Sequence, residues 1–158
     1  MRSKPAPKRL IAPDPLYQNL LVSKLINSIM HDGKKTVAQK QVYQALKLIL
    51  QKTNQEGLQV FLSCIENVKP QMEVRARRIG GAAYQIPTPV RNERKESLAI
   101  RWLVEAARSR PNSEYHTFAE KLAAEIVAAY NQEGAAIKKR SDVHRMAEAN
   151  RAFAHFKW

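Results

Sequence analysis

The sequence predicts a mainly α-helical protein, a helical bundle of about six helices with a protruding two-stranded β-ribbon between helices three and four. Two observations support this fold class. Apolar residues recur at helical spacing along most of the chain. One stretch, RARRIGGAAYQIPTPVR (75–91), instead alternates its side chains around a Gly-Gly pair, which is typical of a hairpin. A chain of 158 residues can bury a core within a single helical domain, predicted here as 14–158 with the ribbon inserted at about 72–91.

The first thirteen residues differ from the rest of the chain. They hold four basic residues, three prolines and no acid. Proline cannot donate a backbone hydrogen bond, and like charges repel one another, so this composition disfavours a packed element. We therefore expect residues 1–13 to form a basic extended arm.

The first helix is predicted to begin at Asp14 and to end at about Met30. Asp14 is a favourable N-cap, and Pro15 suits the first helical position. Gly33 is the expected left-handed stop after it. The apolar stripe of this helix consists of Leu21, Val22, Leu25, Ile26 and Ile29.

The second and third helices follow the same spacing rule. A capping box of Thr36 and Gln39 is predicted to open the second, and Pro70 to end the third. The expected buried residues of the second are Val42, Ala45, Leu46, Ile49 and Leu50. Those of the third are Leu58, Phe61, Leu62, Ile65 and Val68, with Cys64 as a small core residue.

The ribbon is predicted as strands near 72–79 and 84–91, with Gly80 and Gly81 beginning the turn. Pro87 and Pro89 lack the N–H of a ladder bond, so their nitrogen atoms are expected to face outward from an edge. An isolated two-stranded ribbon is marginally stable in water. It therefore has to lie on something else or be ordered by a partner.

Three further helices complete the predicted bundle. Helix four covers about 93–108, helix five begins at a capping box of Thr117 and Glu120, and a last helix covers about 139–153. Gly134 is expected to break helix five. Their expected inward residues are Leu98, Trp102, Leu103 and Ala106, then Phe118, Leu122, Ile126 and Tyr130, then Val143, Met146, Ala147 and Phe153.

The charge balance predicts a polyanionic partner. Lys plus Arg number 27 against 14 acids, which gives a net charge of +13. Nucleic acid is the first candidate and an anionic membrane surface the second. No apolar run reaches the ~18 residues that span a bilayer, and no secretory signal opens the chain. A single cysteine excludes an internal disulfide.

Arginines are grouped in two places. Arg94, Arg101 and Arg108 are seven apart, so they drift by only about 20° per step on one helix. Arg75 and Arg77 share one face of a strand, and Arg78 follows them. The planar guanidinium suits phosphate because it makes two parallel hydrogen bonds and stays charged. The alternatives are a solvated helix face and an edge strand protected by charge.

No motif predicts an enzyme, a metal site or a cofactor. GKKT (33–36) lacks the glycine and the Ser or Thr that a phosphate loop needs, so Lys34 and Lys35 are predicted either to contact backbone phosphates or to form a solvated turn. The four histidines show no ligand spacing. No nucleophile or carboxylate pair adjoins a glycine-rich elbow.

The chain resembles the small ribosomal subunit protein seven family, of bacterial and organellar type. The segments that carry the resemblance occur in the family's order over nearly the whole chain: DGKK (32–35), RRIGGAAYQIPTPVR (77–91), LAIRWLVEAAR (98–108) and DVHRMAEANRAFAHFKW (142–158). The link RPNSEYHTF (110–118) is a few residues longer than is usual in the family, which leaves contacts in that loop open.

The resemblance implies a structural protein that binds the 3′ major, or head, domain of small-subunit rRNA, nucleates head assembly and lies near the mRNA exit channel and the exit-site tRNA. It also implies neighbouring head and platform proteins as partners, with no membrane and no small-molecule substrate. The location implied is the ribosome, in bacterial cytoplasm or in an organelle. RNA would supply the surface on which the ribbon lies. The predicted RNA-binding residues are Arg2, Lys4, Lys8, Arg9, Lys34, Lys35, Arg75, Arg77, Arg78, Tyr84, Arg91, Arg94, Lys95, Arg101 and Arg108.

Two other classes compete with this interpretation. A DNA-architectural protein also uses an Arg- and Pro-bearing ribbon, which wedges into the minor groove. Such proteins are usually small obligate dimers, whereas this chain is long enough for its own core. A membrane-surface protein needs a strongly amphipathic basic helix with aromatic residues, and Trp102 of helix four is predicted to be core instead.

Overall fold

The computed structural model describes residues 9–156 and confirms the mainly helical fold class. Within these residues lie six α-helices, one 3₁₀ helix and one antiparallel strand pair between the third and fourth α-helices. The predicted arm therefore lies largely outside the described residues. The elements are α1 (Leu20–Ile29), α2 (Lys35–Thr53), α3 (Gly57–Val68), β1 (Met72–Ile79), β2 (Ala82–Pro89), α4 (Asn92–Ser109), α5 (Phe118–Tyr130), α6 (Gly134–Ala149) and a C-terminal 3₁₀ helix (Arg151–Phe156).

The core forms around α5, which packs against α2, α3, α4 and α6. Leu122 and Ile126 of α5 are fully buried, as predicted, together with Phe61 of α3. The capping box is also confirmed, because the Thr117 side chain accepts from the Glu120 backbone while the Glu120 carboxylate accepts from the Thr117 backbone. The buried side of α4 contains the four predicted residues, Leu98, Trp102, Leu103 and Ala106.

The predicted start of α1 is wrong. Asn19 is the N-cap, and its side-chain oxygen accepts from the backbone N–H of Leu21 at 2.8 Å. Asp14 caps a separate turn instead, accepting from Leu16 and Tyr17 at 3.1 Å each. The chain cannot continue as one helix because Gln18 has a φ of +48°. Asp14 is thereby buried next to α2, where the Tyr43 hydroxyl donates to it at 2.8 Å.

The predicted end of α1 at about Met30 is confirmed, but the predicted start of α2 is wrong. Gly33 is left-handed, with a φ of +73°, but α1 has already ended at Ile29 because Met30 turns to an extended ψ of 133°. No capping box opens α2: its N-cap is Lys34, without a side-chain hydrogen bond, and Thr36 lies inside the helix. Lys34 and Lys35 therefore lie at the N-terminal end of α2, and both are exposed.

Two residues predicted as core are exposed. Leu50 is 51% exposed because the buried stripe of α2 ends at Ile49, one helical position away. Met146 is 50% exposed because α6 packs through Ala136, Ile137 and Ala147 instead. In α3, Phe61, Cys64, Ile65 and Val68 are buried as predicted, whereas Leu58 and Leu62 pack against the core while partly exposed.

Gly134 begins α6 rather than breaking α5. Helix α5 ends at Tyr130, and Gln132 already has a φ of +62°. Gly134 has a φ of +91°, and a Cβ there would lie 2.9 Å from the Glu125 carboxylate. Glycine is required at this position for both reasons. The predicted last helix is divided, since α6 runs from Gly134 to Ala149 and a 3₁₀ helix follows.

The ribbon has a two-residue turn. Ile79 pairs with Ala82, so β2 begins two residues earlier than predicted, and Gly80 and Gly81 have φ values of +57° and +89°. Positive φ at both central residues is what a type I′ turn requires. At the base of the ribbon the Val90 N–H donates to the Gln71 carbonyl, so Gln71 and Val90 form a hydrogen-bonded pair. Along an antiparallel ladder, such pairs alternate with residue pairs that exchange no backbone hydrogen bond. Pro87 and Pro89 fall at the unbonded positions, as predicted.

The chain itself supplies the surface on which the stem of the ribbon lies. Strand β2 packs against the 3₁₀ helix, and β1 packs against α6. Ile86 is fully buried, and the Tyr84 ring lies 5.3 Å from Phe153 and 5.8 Å from Phe156 between ring centroids. The hypothesis that RNA supplies this surface is therefore wrong for the stem, which packs on α6 and the 3₁₀ helix. The prediction that the ribbon lies on something else is confirmed.

Candidate nucleic-acid interface

The exposed face of α4 carries the predicted arginine row. Arg94, Arg101 and Arg108 are all exposed, and the exposed residues Glu93, Ser97 and Glu105 lie beside them. Seven residues of helix rise about 10.5 Å, so the row spans roughly 21 Å of the helix. The face carries three cations against two acids, Glu93 and Glu105, so it keeps a net positive charge, which favours a ligand with several negative charges along its length.

The ribbon joins this row through a shared carboxylate. Glu73 of β1 is 7% exposed. One of its oxygens accepts from Arg75 Nε at 2.6 Å and the other from Arg94 Nε at 2.7 Å. Burial alone would raise the pKa of Glu73, but the hydrogen bonds from Arg94 and Arg75 outweigh it and hold the pKa below its ordinary value. The carboxylate is therefore ionised at neutral pH and fixes one arginine of the ribbon beside one of α4.

At the other end of α4, the arginine row meets the link between α1 and α2. Arg108 donates from Nη2 to the backbone carbonyl of Ile29 at 3.2 Å. A cation there is favourable because the last carbonyls of a helix are partly negative. Lys34 and Lys35 lie five and six residues after Ile29, the last residue of α1. Lys34 lines a cleft together with Ile29, so the positive surface continues from Arg108 towards the start of α2.

Arg101, at the centre of the row, makes no hydrogen bond or ion pair within residues 9–156. It lines a cleft between α4 and α1 together with Ile11 and Lys24. Lys24 ties α1 to α4 through an ion pair with Glu96 at 2.6 Å. The described end of the N-terminal segment reaches the same cleft, and Arg9 is exposed two residues before Ile11.

The remaining predicted residues are not all on this surface. Arg77, Arg78 and Arg91 are exposed on the ribbon and at its junction with α4. Lys95 is turned about 100° from Arg94 around the helix and lines a cleft towards α3 instead. The Tyr84 ring packs against the 3₁₀ helix while staying partly exposed. Arg2, Lys4 and Lys8 lie outside the described residues.

Sequence reasoning missed two features of the interface. The role of Glu73 was not predicted, although a lone acid in an arginine-rich strand was a visible signal. The contact of α6 with the ribbon base was also missed: Arg140 donates to the Asn67 carbonyl at the end of α3, and His144 Nε2 accepts from the Gln71 N–H at 3.0 Å. The periodicity of α6 gave no signal for that contact.

The His144 bond makes the base of the ribbon sensitive to pH. Burial and then the charge of Arg140 lower the pKa of His144 below its ordinary value. A protonated imidazole cannot accept the Gln71 N–H. The stabilisation is therefore present above about pH 6.5, the ordinary histidine value, and is lost as pH falls towards the lowered folded pKa. We expect a loss of at most about 1 kcal/mol, the net value of one hydrogen bond.

Amide hydrogen exchange of Gln71 at pH 7 and pH 5, corrected for intrinsic rates, measures this effect. His144→Gln is the control because its side-chain oxygen can accept the same hydrogen bond without titrating. An equal loss of protection in His144→Gln would assign the pH effect to other groups.

Among residues 9–156, no group of three or more His, Cys, Asp or Glu side chains is arranged to hold a metal ion. No helix in that range is both long enough and apolar enough to cross a membrane. Cys64 is fully buried, and burial raises the pKa of its thiol.

Comparison with known proteins gives concordant matches over the chain. The family model described as ribosomal protein S7p/S5e matches residues 1–151. Proteins named small ribosomal subunit protein uS7 are similar to this chain along their whole length. Those of Thermotoga maritima and Fervidobacterium nodosum are 57% and 56% identical over 158 residues, with 100% of both chains covered. That of Pelagibacter ubique is 50% identical over 157 residues, with 99% of both covered.

Proposed function

Because the chain belongs to the ribosomal protein S7p/S5e family, whose members are structural proteins of the ribosome and not enzymes, we propose that it binds the 3′ major domain of small-subunit rRNA directly. It is a ribosomal protein of the bacterial-type small subunit. In this proposal the chain positions the rRNA and neutralises phosphate charge, and it makes or breaks no covalent bond.

The observation that carries the proposal is the continuous arginine surface. It starts on the ribbon stem, passes through the Glu73 junction, follows the exposed face of α4 and reaches Ile29 at the end of α1, which lines a cleft with Lys34. Helix α4 has 18 residues, or about 27 Å, so this surface spans several phosphates of an RNA strand. Structured RNA is bound through phosphates, 2′-hydroxyls and splayed loop bases, and such a surface serves the first of these.

The proposed contacts fall into two groups. The central group lies on the continuous surface and consists of Lys34, Lys35, Arg75, Arg77, Arg78, Arg91, Arg94, Arg101 and Arg108. The peripheral group consists of Arg9 with the arm residues Arg2, Lys4 and Lys8, of Lys95 in its separate cleft, and of Tyr84 through the exposed part of its ring. We assign most of the phosphate affinity to the central group.

The proposal extends to the place of the chain in the subunit. Early binding to the 3′ major domain would organise the head for the neighbouring head and platform proteins. The tip of the ribbon, Gly80 and Gly81, has no side-chain charge and permits close backbone approach. Such a tip suits the crowded space beside the mRNA exit channel and the exit-site tRNA.

Competition binding tests the function. We expect a 3′ major domain rRNA fragment to compete on the order of a hundredfold or more better than duplex DNA of equal length, because a specific site adds to the shared phosphate attraction. The full chain is held at one ionic strength while either nucleic acid displaces labelled rRNA. A fragment from another rRNA domain is the matched control. Equal competition by all three would contradict specific rRNA binding and would favour a general polyanion binder.

A further inference from the structure

The Glu73 carboxylate is unusual because it lies, nearly buried, within the most arginine-rich part of the surface. It is 7% exposed, while the side chains of Arg75 and Arg94 are 54% and 51% exposed. A negative charge there opposes the binding of phosphate by simple Coulomb attraction. If Glu73 assists the binding of phosphate, it must do so in a way that outweighs this repulsion.

The two arginines use only part of their donor capacity on Glu73. Arg94 bonds through Nε at 2.7 Å, and no other hydrogen bond of its side chain exists within residues 9–156. Arg75 bonds through Nε and one terminal nitrogen, both at 2.6 Å. A guanidinium has five N–H donors in a rigid plane. Both side chains thus keep free donors on their half-exposed ends.

The two side chains come from different elements, Arg75 from strand β1 and Arg94 from helix α4. Without Glu73 their like charges would repel, and each long side chain would sample many rotamers. With it, both guanidinium groups lie within hydrogen-bonding distance of one carboxylate. They are held side by side before any ligand arrives, and pre-organisation of this kind reduces the entropy lost on binding.

We propose that Glu73 is a positioning residue of the RNA interface, holding Arg75 and Arg94 together so that their remaining donors bind the same backbone phosphate. The inference rests on the proposed function and deepens it. Glu73 does not itself touch the RNA.

Positioning and plain electrostatics predict opposite signs for Glu73→Gln. Neutralisation raises the net charge by one, so electrostatics alone predicts tighter binding and a steeper salt dependence. Positioning predicts weaker binding, because glutamine offers one oxygen and its amide group repels the second arginine. We expect the affinity for the 3′ major domain fragment to fall about three- to tenfold.

Glu105→Gln is the matched control. Glu105 is exposed on the same face of α4 and makes no ion pair within residues 9–156, so its neutralisation is expected to leave the affinity unchanged or to increase it. The two variants have the same charge. A difference between them therefore reports the arginine geometry and not the net charge.

A double-mutant cycle with Arg94→Lys separates positioning from a merely structural tie between ribbon and helix. Lysine keeps the charge but not the planar fork. We expect Arg94→Lys to weaken binding several-fold beside Glu73 and much less in the Glu73→Gln background. Amide exchange at Gln71, whose N–H donates to His144 of α6, verifies that the ribbon is docked in each variant. Additive effects on affinity would overturn the proposal even if the ribbon loosens.

The outcomes also separate this inference from the function on which it rests. If wild type prefers the rRNA fragment and Glu73→Gln binds equally or more tightly, positioning by Glu73 is wrong while rRNA binding stands. If wild type shows no preference for the rRNA fragment, the proposed function fails, and this inference fails with it.

Discussion

Reversing the charge of Arg91 and Arg101 together is expected to reduce affinity for the rRNA fragment by on the order of a hundredfold or more, with the fold intact. Neither side chain makes a hydrogen bond or ion pair within residues 9–156, so their replacement removes no internal contact. Each charged hydrogen bond to phosphate is worth about 1.5–3 kcal/mol, and each new carboxylate adds repulsion. Filter binding measures the loss, and helical circular dichroism verifies the fold.

The control for this pair is Lys47→Glu with Lys52→Glu. Both lysines are exposed in the second half of α2, about 18 Å or more along the helix from Lys35, and the net charge changes by the same amount. An equal loss of affinity in the control would show that net charge, rather than the face of α4, determines binding. Arg94 is unsuitable for reversal because a second carboxylate beside Glu73 would disturb the ribbon.

The largest expected effect on stability comes from Glu125→Ala. Glu125 is 1% exposed, and one of its oxygens accepts from Arg110 at 2.7 Å while the other accepts from the Ala136 N–H at 3.1 Å. Its removal leaves the largely buried Arg110 guanidinium without its anionic partner, with only the Tyr115 hydroxyl as acceptor among residues 9–156, and leaves the Ala136 N–H without an acceptor. We expect the free energy of unfolding to fall by about 3–5 kcal/mol. That corresponds to a decrease in Tm of roughly 10 °C for a chain of this size.

The matched variant is Arg110→Met combined with Glu125→Leu. Replacing both charges by apolar side chains of similar volume is often neutral, whereas removing one is not. Thermal and urea unfolding of the single and double variants measures the difference. A loss below about 1 kcal/mol in Glu125→Ala would show that water or a side-chain shift satisfies Arg110.

Sequence periodicity predicted the parts of the interface that depend on regular geometry. Arginines seven apart lie on one helix face because the helix has 3.6 residues per turn. The Gly-Gly pair marks the ribbon turn because two positive φ values are needed there. These features follow from local backbone rules, so they require no knowledge of the neighbouring elements.

The parts that were missed depend on contacts between distant residues. Asp14 was predicted as the cap of α1, but Asn19 took that position while Asp14 bonded to Tyr43 of α2. Gly134 was predicted as a helix breaker, but its small size accommodates Glu125 from nine residues earlier. Glu73 gained its role from Arg94, which lies on another element. A periodic sequence pattern cannot predict these contacts between distant residues, because they form only when the elements pack together.

The slope of log affinity against log salt concentration tests the central claim, that arginine–phosphate contacts on this surface hold the RNA. For wild type, about six contacts predict a loss on the order of a thousandfold in affinity between 50 and 200 mM salt, by the rule for duplex DNA. For Arg101→Gln, one contact fewer predicts a slope shallower by about one. A nearly flat wild-type slope, or an identical slope in Arg101→Gln and wild type, would contradict the claim.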